Sequence, residues 1–211
     1  MKNKHNNMTN ITRTILTALI IILAATATRA AKVDTLSVYS QKMKRSLSTI
    51  VYTPDAAGEA KYPVIYLLHG YSGNSTTWPG ITDVASLADT YRTIIVCPDG
   101  QNSWYVDSPV DPSMQFETFI SKELPEYIDA HYPTYARREL RAITGLSMGG
   151  HGAMWNGLQH PDVFGNIGTT SGCMDICQYP NCWQIEKVLG NKFQNETVWK
   201  SHSVYYSLDR L

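Results

Sequence analysis

The chain has no surplus of either charge: 18 Lys+Arg stand against 18 Asp+Glu, and charged residues are only 17% of its 211. A protein that reads nucleic acid through its phosphates needs a basic excess, so that partner is not expected. A disordered tail is excluded as well, because 43% of the residues are hydrophobic, with 13 Tyr and 5 Trp among them. Cysteine is scarce. Of the four, Cys97 sits in an apolar run and reads as a buried thiol, while Cys173, Cys177 and Cys182 lack the second Cys or His pair of a zinc site. No metal is expected. One disulfide within that trio is expected in an oxidising compartment, with the pair left open. Repeats, low-complexity tracts and Pro/Gly-rich linkers are also lacking, so residues 31–211 are expected to form a single domain.

The charge balance breaks only at the start. Residues 1–30 carry Lys2, Lys4, Arg13 and Arg29 and no acid. Behind the basic start, Thr14 to Ala27 is an apolar run short for a bilayer span, and Thr28-Arg29-Ala30-Ala31 offers small residues for cleavage. This reads as a signal peptide, residues 1–30. Its removal takes away four bases and no acids, leaving a mildly acidic remainder, secreted or periplasmic and without stable membrane insertion.

Val33 to Ser40 and Ser46 to Tyr52 alternate as an antiparallel opening pair, closed by the turn residues Thr53-Pro54-Asp55. The pattern then changes. Pro63 to Leu68 and Thr93 to Cys97 are short, nearly continuous apolar runs, the mark of parallel strands covered on both faces. Ile81 to Tyr91 has helical character, and Met114 to Tyr132 places Phe116, Phe119, Ile120, Leu124, Tyr127 and Ile128 at helical spacing, with Pro125 as a kink point. This is an α/β pattern.

A further apolar strand, Leu140 to Thr144, runs into Gly145-Leu146-Ser147-Met148-Gly149-Gly150. G-x-S-x-G between a strand and a helix is the nucleophile elbow. The chain must turn so sharply that the serine takes a strained backbone conformation, and glycines two before and two after leave no Cβ to clash. Ser147 is the candidate nucleophile. The helix beginning at Gly149 aims its free amides and positive dipole end at the place where negative charge develops. Leu67-Leu68-His69-Gly70-Tyr71-Ser72-Gly73-Asn74 follows the earlier strand and supplies the other half of an oxyanion hole. The expected donors are the backbone amides of Tyr71 and Met148. His69, before Gly70, reads as a residue that bonds backbone and holds this loop.

Four segments together, PVIYLLHGYSGN (63–74), PDGQNSWYVDSP (98–109), RAITGLSMGGHGA (141–153) and HPDVFGNIGTTSG (160–172), carry a resemblance to the putative-esterase branch of the α/β-hydrolases. That branch includes esterase D, secreted feruloyl and acetyl esterases, and mycolyltransferases. The resemblance runs from about Lys44 to the end. It implies an α/β-hydrolase sandwich with a mostly parallel sheet, a serine esterase acting on small acyl or carbohydrate-linked esters, and no cofactor. By that likeness Trp104 and Tyr105 border the substrate pocket, packing over the sheet edge being the alternative.

The sequence departs from the pattern after Ser147. Hydrolases of this fold carry the acid and then the His later in the chain. Here Asp162, Asp175, Glu186, Glu196 and Asp209 are the later acids, and His151, His160 and His202 the later histidines, none in the expected strand-end setting. From Cys173 onward the sequence reads as loop with short helices at Ile185 to Leu189, Thr197 to Ser201 and Val204 to Leu208. The expectation is therefore a domain whose C-terminal strands, with the triad acid and His, are missing, and impaired hydrolysis. An acyltransferase of the same fold and a non-catalytic carbohydrate-binding protein are the alternatives.

Overall fold

A computed structural model describes residues 30–55 and 60–210. The expected signal peptide lies outside the described residues, apart from Ala30. The sheet is built from β1 (Lys32–Ser40), β2 (Arg45–Thr53), β3 (Val64–Leu68), β4 (Ile94–Pro98), β5 (Arg141–Gly145) and β6 (Asn166–Ile167), in the order β1-β2-β4-β3-β5-β6. The first two junctions are antiparallel and the β4, β3, β5 and β6 junctions are parallel. Among the described residues no strand follows β6, although pairing beside β5 continues to an isolated bridge between Leu146 and Thr170.

Burial follows the two-residue strand period. In β4, Ile94 and Val96 join the larger core and Ile95 and Cys97 the smaller one on the opposite face. The smaller core also holds Val84 and Ala88 of α1 (Val84–Tyr91). Asp83 caps that helix, its carboxylate accepting from the Ser86 amide at 3.0 Å. The larger core packs β3 and β5 against α2 (Phe116–Thr118), α3 (Leu124–His131) and α4 (Met148–Gln159).

Two expectations are corrected. The turn joining β1 to β2 lies at residues 41–44, because Ser40 pairs with Arg45; Thr53-Pro54-Asp55 instead leads away from β2. The real turn contains no Gly, Asn or Pro. It is held by the Met43 amide donating to Ser40 Oγ at 3.0 Å and the Lys42 amide donating to Glu123 at 2.8 Å, with Lys44 in the left-handed region at φ 54°. The second correction concerns cysteine: all four thiols are free. Burial pushes Cys97 up to about 12 and Cys173 and Cys177 each up to about 11, so these three stay protonated at neutral pH.

The Met114 to Tyr132 segment absorbs its proline through a π-turn, Phe119–Glu123, between α2 and α3. Proline has no amide for a carbonyl one turn back, and a wider turn accommodates that loss without ending the run. After β6 come the short helices α5 (Ile185–Leu189), α6 (Glu196–Ser201) and a 3₁₀ turn, Val204–Arg210, close to their expected places.

Ile143 is fully buried at the middle of β5, between the site's strand neighbours. Ile143→Ala should cost about 3 kcal/mol in urea unfolding through the cavity it leaves. Leu87→Ala, on the exposed side of α1, should stay within about 0.5 kcal/mol.

Candidate active site

The turn from β5 into α4 is made by one residue. Ser147 has φ 56° and ψ −115° and is exposed, while Met148, Gly149 and Gly150 behind it are buried. Its amide donates to the Thr170 carbonyl at 2.9 Å, which ties the apex to the chain beyond β6. The flanking glycines are needed for space. A Cβ on Gly145 would lie 2.5 Å from the Gly149 carbonyl oxygen, and one on Gly149 would lie 2.5 Å from both the Leu68 and His69 carbonyl oxygens. Backbone from β5, α4 and the loop after β3 therefore meets here without intervening side chains.

That contact places the loop after β3 beside the serine. A Cβ on Gly70 would sit 3.6 Å from Ser147 Cβ. Buried His69 fixes the loop. The Gly100 amide donates to its Nε2 at 2.9 Å, so the ring proton is on Nδ1, which donates to the Gly70 carbonyl at 2.8 Å. The Gly73 amide donates to the same carbonyl at 3.0 Å. In a trans peptide the carbonyl and the following amide point in opposite directions. Holding the Gly70 carbonyl thus also fixes the direction of the Tyr71 N–H. The same holds one loop away: the Ser147 carbonyl accepts from the His151 amide at 3.0 Å along α4, so the Met148 N–H points out of the helix end. Neither the Tyr71 nor the Met148 amide has a protein partner among the described residues. The structure brings Ser147, Tyr71 and Met148 into one neighbourhood.

Trp104 and Tyr105 are brought close to it in a different way. Both are buried, 2% and 0% exposed, and both have left-handed backbones at φ 58° and 59°. Consecutive positive φ at non-glycine residues costs of the order of 1–3 kcal/mol each and persists only where packing dictates it. Trp104 stands edge-on to His151 at 5.5 Å and donates from Nε1 to the Trp183 carbonyl at 3.2 Å. Tyr105 donates from its hydroxyl to the His69 carbonyl at 3.1 Å. Their side chains face the interior, in the arrangement of packing aromatics. Packing was one of the two roles the sequence left open for them; nothing in the sequence pointed to Asn156, which donates from Nδ2 to the Tyr105 carbonyl at 2.9 Å.

The later histidines are engaged elsewhere. His160 Nε2 meets Glu117 at 2.9 Å, and Trp155 donates to the same carboxylate at 2.8 Å. Burial would raise the Glu117 carboxyl, but these bonds outweigh it and hold it below the ordinary value. His202 has Nδ1 2.8 Å from the Val198 carbonyl and its ring stacked on Trp155. His151 is fully buried with a ring nitrogen near each of two carbonyls, His202 at 3.0 Å and Trp104 at 3.3 Å. Asp175 accepts from Cys177 and Ser203 at 3.1 and 3.2 Å as a cap. Among the described residues no imidazole hydrogen-bonds the Ser147 hydroxyl, and no group of three His, Cys, Asp or Glu could hold a metal. A cavity of about 420 Å³ opens beside Arg141 and His160, at the opposite end of β5 from Ser147.

The model of the family described as Putative esterase matches residues 40–210. An acetyl esterase of Caldicellulosiruptor saccharolyticus is 31% identical over 147 residues, covering 65% of this chain and 55% of that protein. The chain thus spans about half the length of this curated relative. A solved ferulic acid esterase superposes with TM-score 0.68 at 30% identity over 86% of this chain and 74% of its own. The Staphylococcus aureus serine hydrolase FphF, at TM-score 0.75 and 21% identity over 86% of this chain and 74% of that one, shares the fold.

His151 generates a pH prediction. Burial lowers its pKa from the ordinary 6.5 to about 4, outweighing the two carbonyls that favour the charged ring. Between those values the unfolded chain binds a proton that the folded one does not. Its contribution is therefore complete above about pH 6.5 and is lost as pH falls, at up to about 1.4 kcal/mol per unit. Unfolding of the wild type followed from pH 7 to 4.5 should show this slope. In His151→Gln this part should be absent, leaving only the slope of the carboxylates held below their ordinary range, such as Glu117.

Proposed function

Since the chain belongs to the Putative esterase family, we propose that it is a serine carboxylic ester hydrolase in which Ser147 forms the acyl-enzyme and the amides of Tyr71 and Met148 receive the developing oxyanion. The observation that carries this reading is the exposed Ser147 at φ 56° with Gly70 packed against it. Ser147 Oγ attacks the ester carbonyl, the carbonyl oxygen takes up negative charge, and the C–O bond to the alcohol breaks as the oxygen returns to a double bond. The departing alkoxide takes up the proton that the Ser147 hydroxyl gives up and leaves as the alcohol. Water then repeats the attack on the acyl group, releasing the acid and restoring the serine. Donors fixed before charge develops stabilise that step most, each being worth about 3 kcal/mol of barrier.

The acyl group is small, or the ester is attached to a carbohydrate. The names of the acetyl esterase and ferulic acid esterase relatives support this choice. Residues 1–30, by their basic start and apolar run, direct the protein to export. No helix among the described residues is long and apolar enough to cross a membrane. Trp104 and Tyr105 support the site from within. Hydrolysis by the described residues is slow, because none of their imidazoles meets the Ser147 hydroxyl; an oxyanion hole with binding alone sustains roughly 10³–10⁴ over water.

With p-nitrophenyl acetate the purified chain should show turnover above the buffer rate, and Ser147→Ala should lower it at least tenfold. Equal rates for the two proteins would remove the nucleophile assignment. Transfer of the acetyl group to an added alcohol in preference to water would make the protein an acyltransferase instead.

A further inference from the structure

One carbonyl joins the pieces of the site. The His69 oxygen faces the backbone of Gly149, where a Cβ would approach to 2.5 Å, and accepts from the Tyr105 hydroxyl at 3.1 Å. It therefore lies between the helix that carries the serine and the ring of a fully buried tyrosine. That ring fills a slot with no spare room. A Cβ on Gly152 of α4 would come within 2.4 Å of its Cδ2, and one on Gly100 within 2.1 Å of its Cε1. The edge of the ring stands against the His69 imidazole, centroids 5.7 Å apart. The residue's backbone is fixed as firmly: its amide donates to Ser103 Oγ at 3.0 Å, and its carbonyl accepts from Asn156 Nδ2 at 2.9 Å. Asn156 also donates to the Gly152 carbonyl at 2.8 Å and accepts from Ser121 at 2.6 Å, so it is anchored from two sides. Burial keeps the phenol protonated, so its hydroxyl remains a donor.

We propose that Tyr105 is a positioning residue for the reaction: its ring sets the spacing between α4 and the loop after β3, and its hydroxyl pins the His69 carbonyl so that the next peptide, Gly70–Tyr71, presents the Tyr71 amide to the oxyanion. This rests on the reading of Tyr71 and Met148 as the oxyanion donors. The residue does not touch the substrate. It acts through His69 and Gly70, whose carbonyl orientation determines that of the Tyr71 N–H. Removing the hydroxyl leaves the buried His69 carbonyl short of a donor and lets the loop rotate, while the apolar slot stays filled.

Tyr105→Phe keeps the ring and deletes one oxygen. Two readouts are taken on the full chain, steady-state hydrolysis of p-nitrophenyl acetate and hydrogen–deuterium exchange of the 69–73 amides. The expected result is a kcat lowered about tenfold with KM within about twofold, and exchange of the loop about tenfold faster while β4 and β5 keep their protection. Gly152→Ala, which favours the helix but drives a methyl into the ring, should give the same pair of effects and serves if the first variant does not fold. Unchanged kcat and unchanged loop exchange in the variant that folds would overturn the proposal, as would a rise in KM alone. If the wild type shows no Ser147-dependent hydrolysis, the ester-hydrolase reading falls, and the exchange measurement still decides whether Tyr105 holds the loop.

Discussion

A left-handed serine at the end of a buried strand is the constraint on which the rest of the structure depends. An L-residue at φ 56° is strained by steric contact between its Cβ and its own backbone, at a cost of about 1–3 kcal/mol. The strain persists because both sides of the apex are fixed. Five residues of β5 pair with β3, and the helix that follows begins at once with buried Met148. The Ser147 amide is held by Thr170 and its carbonyl by the first turn of α4. With both backbone groups committed inward, the side chain is the part left in solvent.

The strained turn also determines its surroundings. Because Gly145 and Gly149 have no side chains, the β3 loop lies backbone to backbone against the elbow. Backbone groups are rigid donors, and their directions are set by hydrogen bonds on the far side of each peptide. His69 performs that task for the Gly70–Tyr71 peptide and the α4 turn for Ser147–Met148. Trp104 and Tyr105, for which the sequence leaves substrate contact and packing both open, are buried in the space beneath. On the proposed reading, the chemistry of the site comes from main-chain atoms held by buried side chains.

What could be read from the sequence divides along a physical line. The parallel strands and the elbow were legible, since continuous apolar runs and paired glycines encode local requirements that hold in any context. So were the short helices after Cys173. The β1–β2 turn was not, because it depends on Glu123, far along the chain, to hold the Lys42 amide. The choice between pocket and packing for Tyr105 was equally undetermined: its inward facing requires Gly100 and Gly152 to leave room for the ring, and those glycines are brought together only by the fold. His151 is a buried packing residue of α4 whose partners lie on two distant loops.

Ser147 as an accessible nucleophile beside two oxyanion donors can be tested without knowledge of the natural ester. A fluorophosphonate probe phosphonylates a serine only where an oxyanion site stabilises the addition, and peptide mass spectrometry locates the adduct. A single adduct on the peptide bearing Ser147, formed in the folded protein and abolished by prior unfolding, is the predicted result. No adduct, or one on another serine of the folded protein, would contradict it.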